Sequence, residues 1–420
     1  MSSVFGHRSR STVSGGRLAL YTSVDQGLSS LSNALLLFAV AQTATASQFG
    51  VITLLVALVS TVMCFNRGAL GTPILLVSNL RPDEIRTESG YALTWSAGSA
   101  AASALVLALV GAIAGSLPAA LAFGAAVPAV LIQDVLRYSA LSCGRPLAAV
   151  ASDGLWALLM GALYVLNVLT NAVPIVVVVL WWGVGGLVAG LMLAATTGVR
   201  PRWHRILGWW TTYGRARTRF GCVQALIPVA TALFIFTVTL VLGSAVAGGL
   251  RGASTLFGPI AMLISALPLA FVPHARRSNK TVADQWRILV TTSWATSAIT
   301  IAGTVVLVIL PAHLGRLLLG DVWESAVEVV PYVGLEAAAN CWMVGVYAMT
   351  QAQGMSRASL WLRVLEVLLK QGAAVFAAVA IGTAVAVAGA GAVAAWLTAV
   401  VSVAFSKRAV RDHDPQRMGS

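Results

Sequence analysis

The stretch VDQGLSSLSNALLLFAVAQTATA, Val24 to Ala46, decides how the chain folds. Its second half is apolar enough for a bilayer interior, whereas its first half carries Asp25, Gln26, Ser29, Ser30, Ser32 and Asn33. On a helix, Gln26, Ser29 and Asn33 recur at intervals of three and four residues, with Asp25 and Ser32 beside them, so all share one broad face. An ionisable group left in hydrocarbon costs roughly 3 kcal/mol or more at the bilayer centre. A spanning helix built this way is therefore expected to turn its polar face toward other helices or toward a wet cavity.

The rest of the chain fits that reading. Of 420 residues, 58% are hydrophobic and 10% charged, and the mean hydropathy is +0.86. A soluble domain carries about 25% charged residues, so the class is a polytopic, all-α membrane protein. About twelve stretches approach the ~20 residues that a bilayer core demands, and they predict two six-helix lobes around a central cavity. The expected organisation is a basic tail at 1–17, an N-terminal lobe at 18–199, an interfacial linker helix at 200–221, a C-terminal lobe at 222–405 and a second tail at 406–420.

The formal net charge of +13 is distributed by side rather than by patch. Arg137, Arg251, Arg363 and Lys370 fall within or at the ends of spans, and Arg316 lies alone in a loop on one side. All other cations fall in the tails and in alternate loops. Such a bias predicts cytoplasmic termini in a bacterial cytoplasmic membrane and some attraction to anionic lipid. Nucleic acid is not an expected partner. The apolar run before Ala44-Thr45-Ala46 imitates a cleavable signal peptide, but cleavage there would leave an odd number of spans, so a retained first helix is expected.

Within the linker RPRWHRILGWWTTYGRARTRFG, Arg200–Gly221, Trp203, Ile206, Leu207 and Trp210 follow helical spacing opposite Arg202, Arg205, Thr212 and Arg215. This is the pattern of a helix lying at the membrane surface. Gly111/Gly115 and Gly186/Gly190 make GxxxG spacings that permit close helix contact. Pro128, Pro228, Pro259, Pro268 and Pro331 sit in or beside spans and allow kinks.

Two further polar stripes matter. Glu336, Asn340, Met343, Tyr347 and Gln351 share one face of the tenth span. Arg363, Glu366 and Lys370 sit at i, i+3 and i+7 in the eleventh, where Glu366 can pair with either cation. Arg251 adds a cation in the eighth. Internal satisfaction of these groups is one reading. The other, favoured here, is that Asp25, Gln26, Asn33, Arg251, Glu336, Asn340, Arg363, Glu366 and Lys370 line one substrate cavity.

Enzymatic chemistry has no pattern to rest on. No GxxxxGK[ST] occurs, the chain has only three lysines, Lys280, Lys370 and Lys407, and the five histidines are isolated. Cys64, Cys143, Cys222 and Cys341 are widely spaced and indicate neither a metal site nor a disulfide framework. No catalytic residue, metal site or cofactor is expected, apart from a coupling proton or sodium ion held by Asp25, Glu336 or Glu366.

The run QDVLRYSALSCGRPLAAVASDGLW, Gln133 to Trp156, resembles a text of actinobacterial polysaccharide-biosynthesis membrane proteins, relatives of the Wzx oligosaccharide flippases in the multidrug/oligosaccharidyl-lipid/polysaccharide exporter (MOP) superfamily. DQGLSSLSN with SQFG, and GASTLFGPIAMLISALPLAFVPHARR (Gly252 to Arg277), resemble the same group. The resemblance implies a V-shaped pair of lobes working by alternating access. It implies that Asp25 and Gln26 face the cavity, and that Gln133, Asp134, Arg137, Arg145 and Asp153 form a cytoplasmic-side network. The cations inside the membrane are fewer than a strongly cationic glycan-lipid cavity would hold, and carboxylates accompany them.

The expected function is a transporter that flips a lipid-linked oligosaccharide, with a polyprenyl diphosphate carrier, or a related polar lipid, for polysaccharide biosynthesis. Arg251, Arg363 and Lys370 would meet the diphosphate. The expected partners are that lipid-linked glycan, membrane lipids and other polysaccharide-assembly proteins. The alternatives are a cation-coupled exporter of small drugs, which the carboxylates suit, and a non-transporting scaffold of a glycan-assembly complex.

Overall fold

The computed structural model describes residues 15–71, 73–74, 82–170, 173–258, 260–261, 282–352 and 355–412. The tail before residue 15, the tail after residue 412, Pro259, Pro268, His274 and the side chains of Thr22 and Gln351 lie outside the described residues.

Every regular element described is helical. In chain order these are α1 (Gly15–Thr43), α2 (Ala46–Asn66), a π turn (Arg67–Gly71), α3 (Pro82–Ile113), α4 (Leu117–Ser142), α5 (Pro146–Thr170), α6 (Ile175–Thr197), α7 (Ile206–Leu242), α8 (Ser244–Leu256), α9 (Val282–Ile309), α10 (Ala312–Leu319), α11 (Val322–Val327), α12 (Val330–Ala352), α13 (Ser356–Ala380) and α14 (Ala384–Asp412). Among the described residues, nine helices are long and apolar enough to cross a membrane. α12, α13 and α8, the last described over 13 residues, complete the twelve helices of the two six-helix lobes.

Local chemistry sets the boundaries. Thr45 and Gln48 form a reciprocal capping box at the start of α2: the Gln48 N–H donates to Thr45 Oγ1 at 3.2 Å, and the Thr45 N–H to Gln48 Oε1 at 3.0 Å. The triplet that imitates a cleavage site is thus a helix junction in this fold. Pro82 and Pro146 open α3 and α5 where their missing N–H costs nothing, and Gly198, at φ 68°, closes α6.

The linker is not a separate helix. Ile206 begins α7, which continues unbroken to Leu242 with Pro228 inside it. Its first turns are fastened to α3: Trp210 stacks on Trp95 at 3.9 Å, Arg217 lies 3.9 Å from the Trp209 ring centroid, and Glu88 accepts from both Trp209 and Arg217. Only Trp203 and Leu207, 69% and 71% exposed, keep the outward orientation of an interfacial helix. The two GxxxG pairs serve contacts within the bundle: Gly111 faces Ala120, and Gly186 faces Trp156 and Val130.

The core is continuous at one end of the molecule and divided at the other. At the end carrying α10 and α11, one apolar core joins both lobes, from Leu36 and Phe49 to Leu250, Trp323 and Val330. At the end carrying the 200–205 linker, Leu70, Ile85, Leu136 and Leu193 form a core of the N-terminal lobe. There Met343, Tyr347, Leu362 and Ala399 form a separate core of the C-terminal lobe. The two ends are called below the sealed end and the linker end.

Candidate functional site

Hydrogen bonds within α1 answer much of the opening question. Ser30 Oγ donates to the Gln26 carbonyl at 2.9 Å, Ser32 Oγ to Ser29 at 2.9 Å, and Asn33 Nδ2 to Ser29 at 2.8 Å. These side chains are satisfied by their own helix backbone. Asp25 is not, and it needs a cation.

That cation is Arg137. QDVLRY places Gln133, Asp134 and Arg137 on one face of α4, and the guanidinium is surrounded by carboxylates: Asp134 at 3.1 Å, Asp153 of α5 at 3.2 Å and Asp25 of α1 at 3.6 Å. Arg67, in the π turn, grips Asp134 in a fork, Nε to Oδ2 at 2.9 Å and Nη2 to Oδ1 at 2.8 Å. Gln133 Nε2 donates to Asp153 at 2.6 Å and to Ser152 at 3.2 Å. Two arginines thus meet three aspartates inside the N-terminal lobe, none of the three more than 4% exposed. Asp25 Oδ1 and Arg137 Nε have no hydrogen-bond partner among the described residues. Arg145, expected in the same network, stands exposed in the turn between α4 and α5.

The C-terminal lobe holds the other charged assembly. Lys370 of α13 reaches across to Glu336 of α12 at 3.0 Å. Arg363 pairs with Glu366 at 3.2 Å and lies 4.0 Å from the Tyr347 ring centroid, while the Tyr347 hydroxyl donates to Glu366 at 2.7 Å. Spacing offers Glu366 as a partner for Lys370, but the packing of α12 on α13 gives it Glu336 instead.

Two adjoining cavities open beside these groups. One, of about 220 Å³, is lined by Thr231, Arg251, Ser254, Glu336, Lys370 and Gln371 among apolar neighbours. The other, of about 200 Å³, is lined by Asn340, Arg363, Glu366 and again Thr231, Lys370 and Gln371. Among the described residues Arg251, which faces the first cavity, has no ion pair, and its Nε lacks a hydrogen-bond partner.

The sequence-predicted residues are therefore divided. Arg251, Glu336, Asn340, Arg363, Glu366 and Lys370 gather in the C-terminal lobe. Asp25 lies with Gln133, Asp134, Arg137 and Asp153 in the N-terminal lobe, and Gln26 and Asn33 line neither cavity. Arg67, Thr231, Ser254 and Gln371 were not anticipated. A signal for Arg67 existed: three aspartates around one arginine leave a charge deficit, and Arg67 stands at the end of the second span.

The sealed end is tight. Gln42 Nε2 donates to the Leu317 carbonyl at 2.6 Å, Tyr164 Oη donates to the same carbonyl at 2.8 Å, and the Ser47 and Ser244 hydroxyls meet at 2.6 Å. A Cβ on Gly50 would lie 1.9 Å from the Ser244 carbonyl oxygen, and one on Gly248 would lie 2.2 Å from that of Ala46.

This geometry has solved counterparts. The structure is similar to one described as the inward-facing conformation of a multidrug resistance MATE family transporter of the MOP superfamily, with TM-score 0.70 and 13% identity, covering 94% of this chain and 98% of that one. The fold is that of the MATE transporters. It is also the fold that the motif resemblance implied. An outward-facing MATE conformation matches at TM-score 0.60 and 14% identity, over 95% of both chains. A MOP superfamily transporter from Pyrococcus furiosus Vc1, described as having a reversed polarity of its binding pocket that suggests a different function, matches at 0.62 and 13%, over 94% of this chain and 95% of that one. No protein-family model and no curated protein matches the sequence.

Proposed function

We propose that the protein is an alternating-access transporter that flips a polar, anionic lipid, a lipid-linked oligosaccharide or a close relative, from the cytoplasmic to the outer leaflet. The observation that carries this reading is Arg251, a guanidinium without a counter-ion among the described residues, facing a cavity inside a spanning lobe. A lone cation within a spanning lobe is costly unless an anion comes to it. The headgroup would enter from the linker end, taken as cytoplasmic from the charge bias of the loops, while the lipid tail remains in the bilayer. The divided core at that end and the seal at the other support entry there. Asp25 would couple transport to a proton or sodium ion, since its Oδ1 has no hydrogen-bond partner among the described residues.

The test is flipping of a fluorescent polyprenyl-linked oligosaccharide by the purified protein in liposomes. Arg251→Ala is expected to slow flipping at least tenfold, and an unchanged rate would remove the proposed site. Carboxylates Glu336 and Glu366 in the cavity walls favour a second reading, export of cationic drugs. A deletion strain with heightened sensitivity to several cationic drugs, together with a protein inert toward lipid, would select that reading.

A further inference from the structure

The charges around the Arg251 cavity balance to a single unit. Lys370 is matched by Glu336 at 3.0 Å, and Arg363 by Glu366 at 3.2 Å. Arg251 alone among the described residues lining the two cavities has no opposite charge beside it. Of the elements packed on α8, α11 carries Glu324, which Arg316 holds, and the stretches around the cavity add no other. The sequence carries no Asp, Glu, Lys or Arg from Gln26 to Asn66, from Gly221 to Leu242, or from Gly252 to Pro273. Asp25, at the edge of the first of these stretches, is held by Arg137.

From this balance we infer that the anion carried at Arg251 has one negative charge, and that the lipid and sugar of the substrate are joined by a single phosphodiester rather than a diphosphate. This rests on the flipping function proposed above and names its substrate class. A phosphodiester carries one charge, and its two free oxygens match the fork of one guanidinium. A diphosphate diester carries two, and its second phosphate would have to settle against Glu336 or Glu366, both already engaged with cations. Thr231 and Gln371 stand in the wall of the same cavity, where they can donate to the linkage, while the glycan would extend into the gap between the lobes.

The experiment uses the purified full chain in liposomes with three fluorescent probes, each a prenyl chain joined to glucose through a phosphodiester, a diphosphate or no phosphate. The diester is expected to flip at least tenfold faster than the other two. Arg251→Gln should reduce it to the rate of the neutral probe, and Arg251→Lys should keep the preference. Glu336→Gln frees the charge of Lys370 and should raise diphosphate flipping at least fivefold. A diphosphate probe that flips as fast as the diester in the unaltered protein would overturn the inference and leave flipping intact. A neutral probe as fast as the diester would remove the anion site itself. If no probe moves, the proposed function falls and the inference with it. Dimethyl phosphate, a soluble diester of the same charge, covers the other source: its uptake into vesicles that flip none of the lipids would assign the site to a free anion and overturn the lipid reading.

Discussion

A carboxylate within a bilayer persists where a cation is held against it, and Arg137 serves three of them at once. Removing one member of such a group leaves charge buried and unmatched, at a cost of roughly 3–5 kcal/mol. Arg137→Met is expected to destabilise by about that amount, read as the shift in the denaturation midpoint of the detergent-solubilised protein. Asp25→Asn should cost least of the aspartates, because its contact is the longest at 3.6 Å and one oxygen already lacks a partner. A loss for Asp25→Asn as large as for Asp134→Asn would refute that ranking. Single residues also show where sequence reading stops. Helical spacing places Asp25 on the polar face of α1, but not which neighbour that face meets, which is Arg137 of α4. Likewise, spacing pairs Lys370 with Glu366 four residues before it, whereas the tertiary contact pairs it with Glu336 on another helix.

At the scale of helices more was legible, because each span must supply ~20 apolar residues whatever it packs against. The span at 150–170 coincides with α5, and that at 173–196 with α6, to within a few residues. The boundary placed at residue 221 had a different fate. Hydropathy changes there from interfacial to buried, but hydropathy reports the surroundings of a helix and not its hydrogen bonding. With no proline between Arg202 and Pro228, the backbone has no strong reason to break. One helix therefore belongs to both lobes, its first turns on α3 and its later turns, from Thr231 to Val238, in the wall of the Arg251 cavity. The clamp should be separable from the rest. An aromatic pair contributes about 0.5–1.5 kcal/mol beyond its buried area, so Trp210→Ala is expected to speed amide exchange over residues 206–217 by up to about tenfold. Exchange over 231–242 should not change. Equal acceleration along the whole helix would mean that the clamp and the cavity wall form one cooperative unit.

Across the whole molecule, the division of the core sets what motion is possible. Lobes that share one core at the sealed end and have separate cores at the linker end can exchange only by breaking the first and closing the second. The seal is built largely from backbone. Gly50 and Gly248 let α2 and α8 approach until a methyl group would collide with a carbonyl oxygen, and the Ser47 and Ser244 hydroxyls meet at 2.6 Å beside them. Two such side chains are placed for a disulfide, whose sulfurs stand about 2 Å apart on closely approaching backbones. In a protein whose four native cysteines are replaced by serine, Ser47→Cys with Ser244→Cys should therefore oxidise readily and fix this end shut. Flipping is expected to fall at least tenfold on oxidation and to return when a reductant is added, with neither single variant affected by oxidant. Full activity in the cross-linked state would show that α2 and α8 stay together throughout the cycle, and the alternation would then have to run through another contact, with Gln42 and Tyr164 on the Leu317 carbonyl the next to separate.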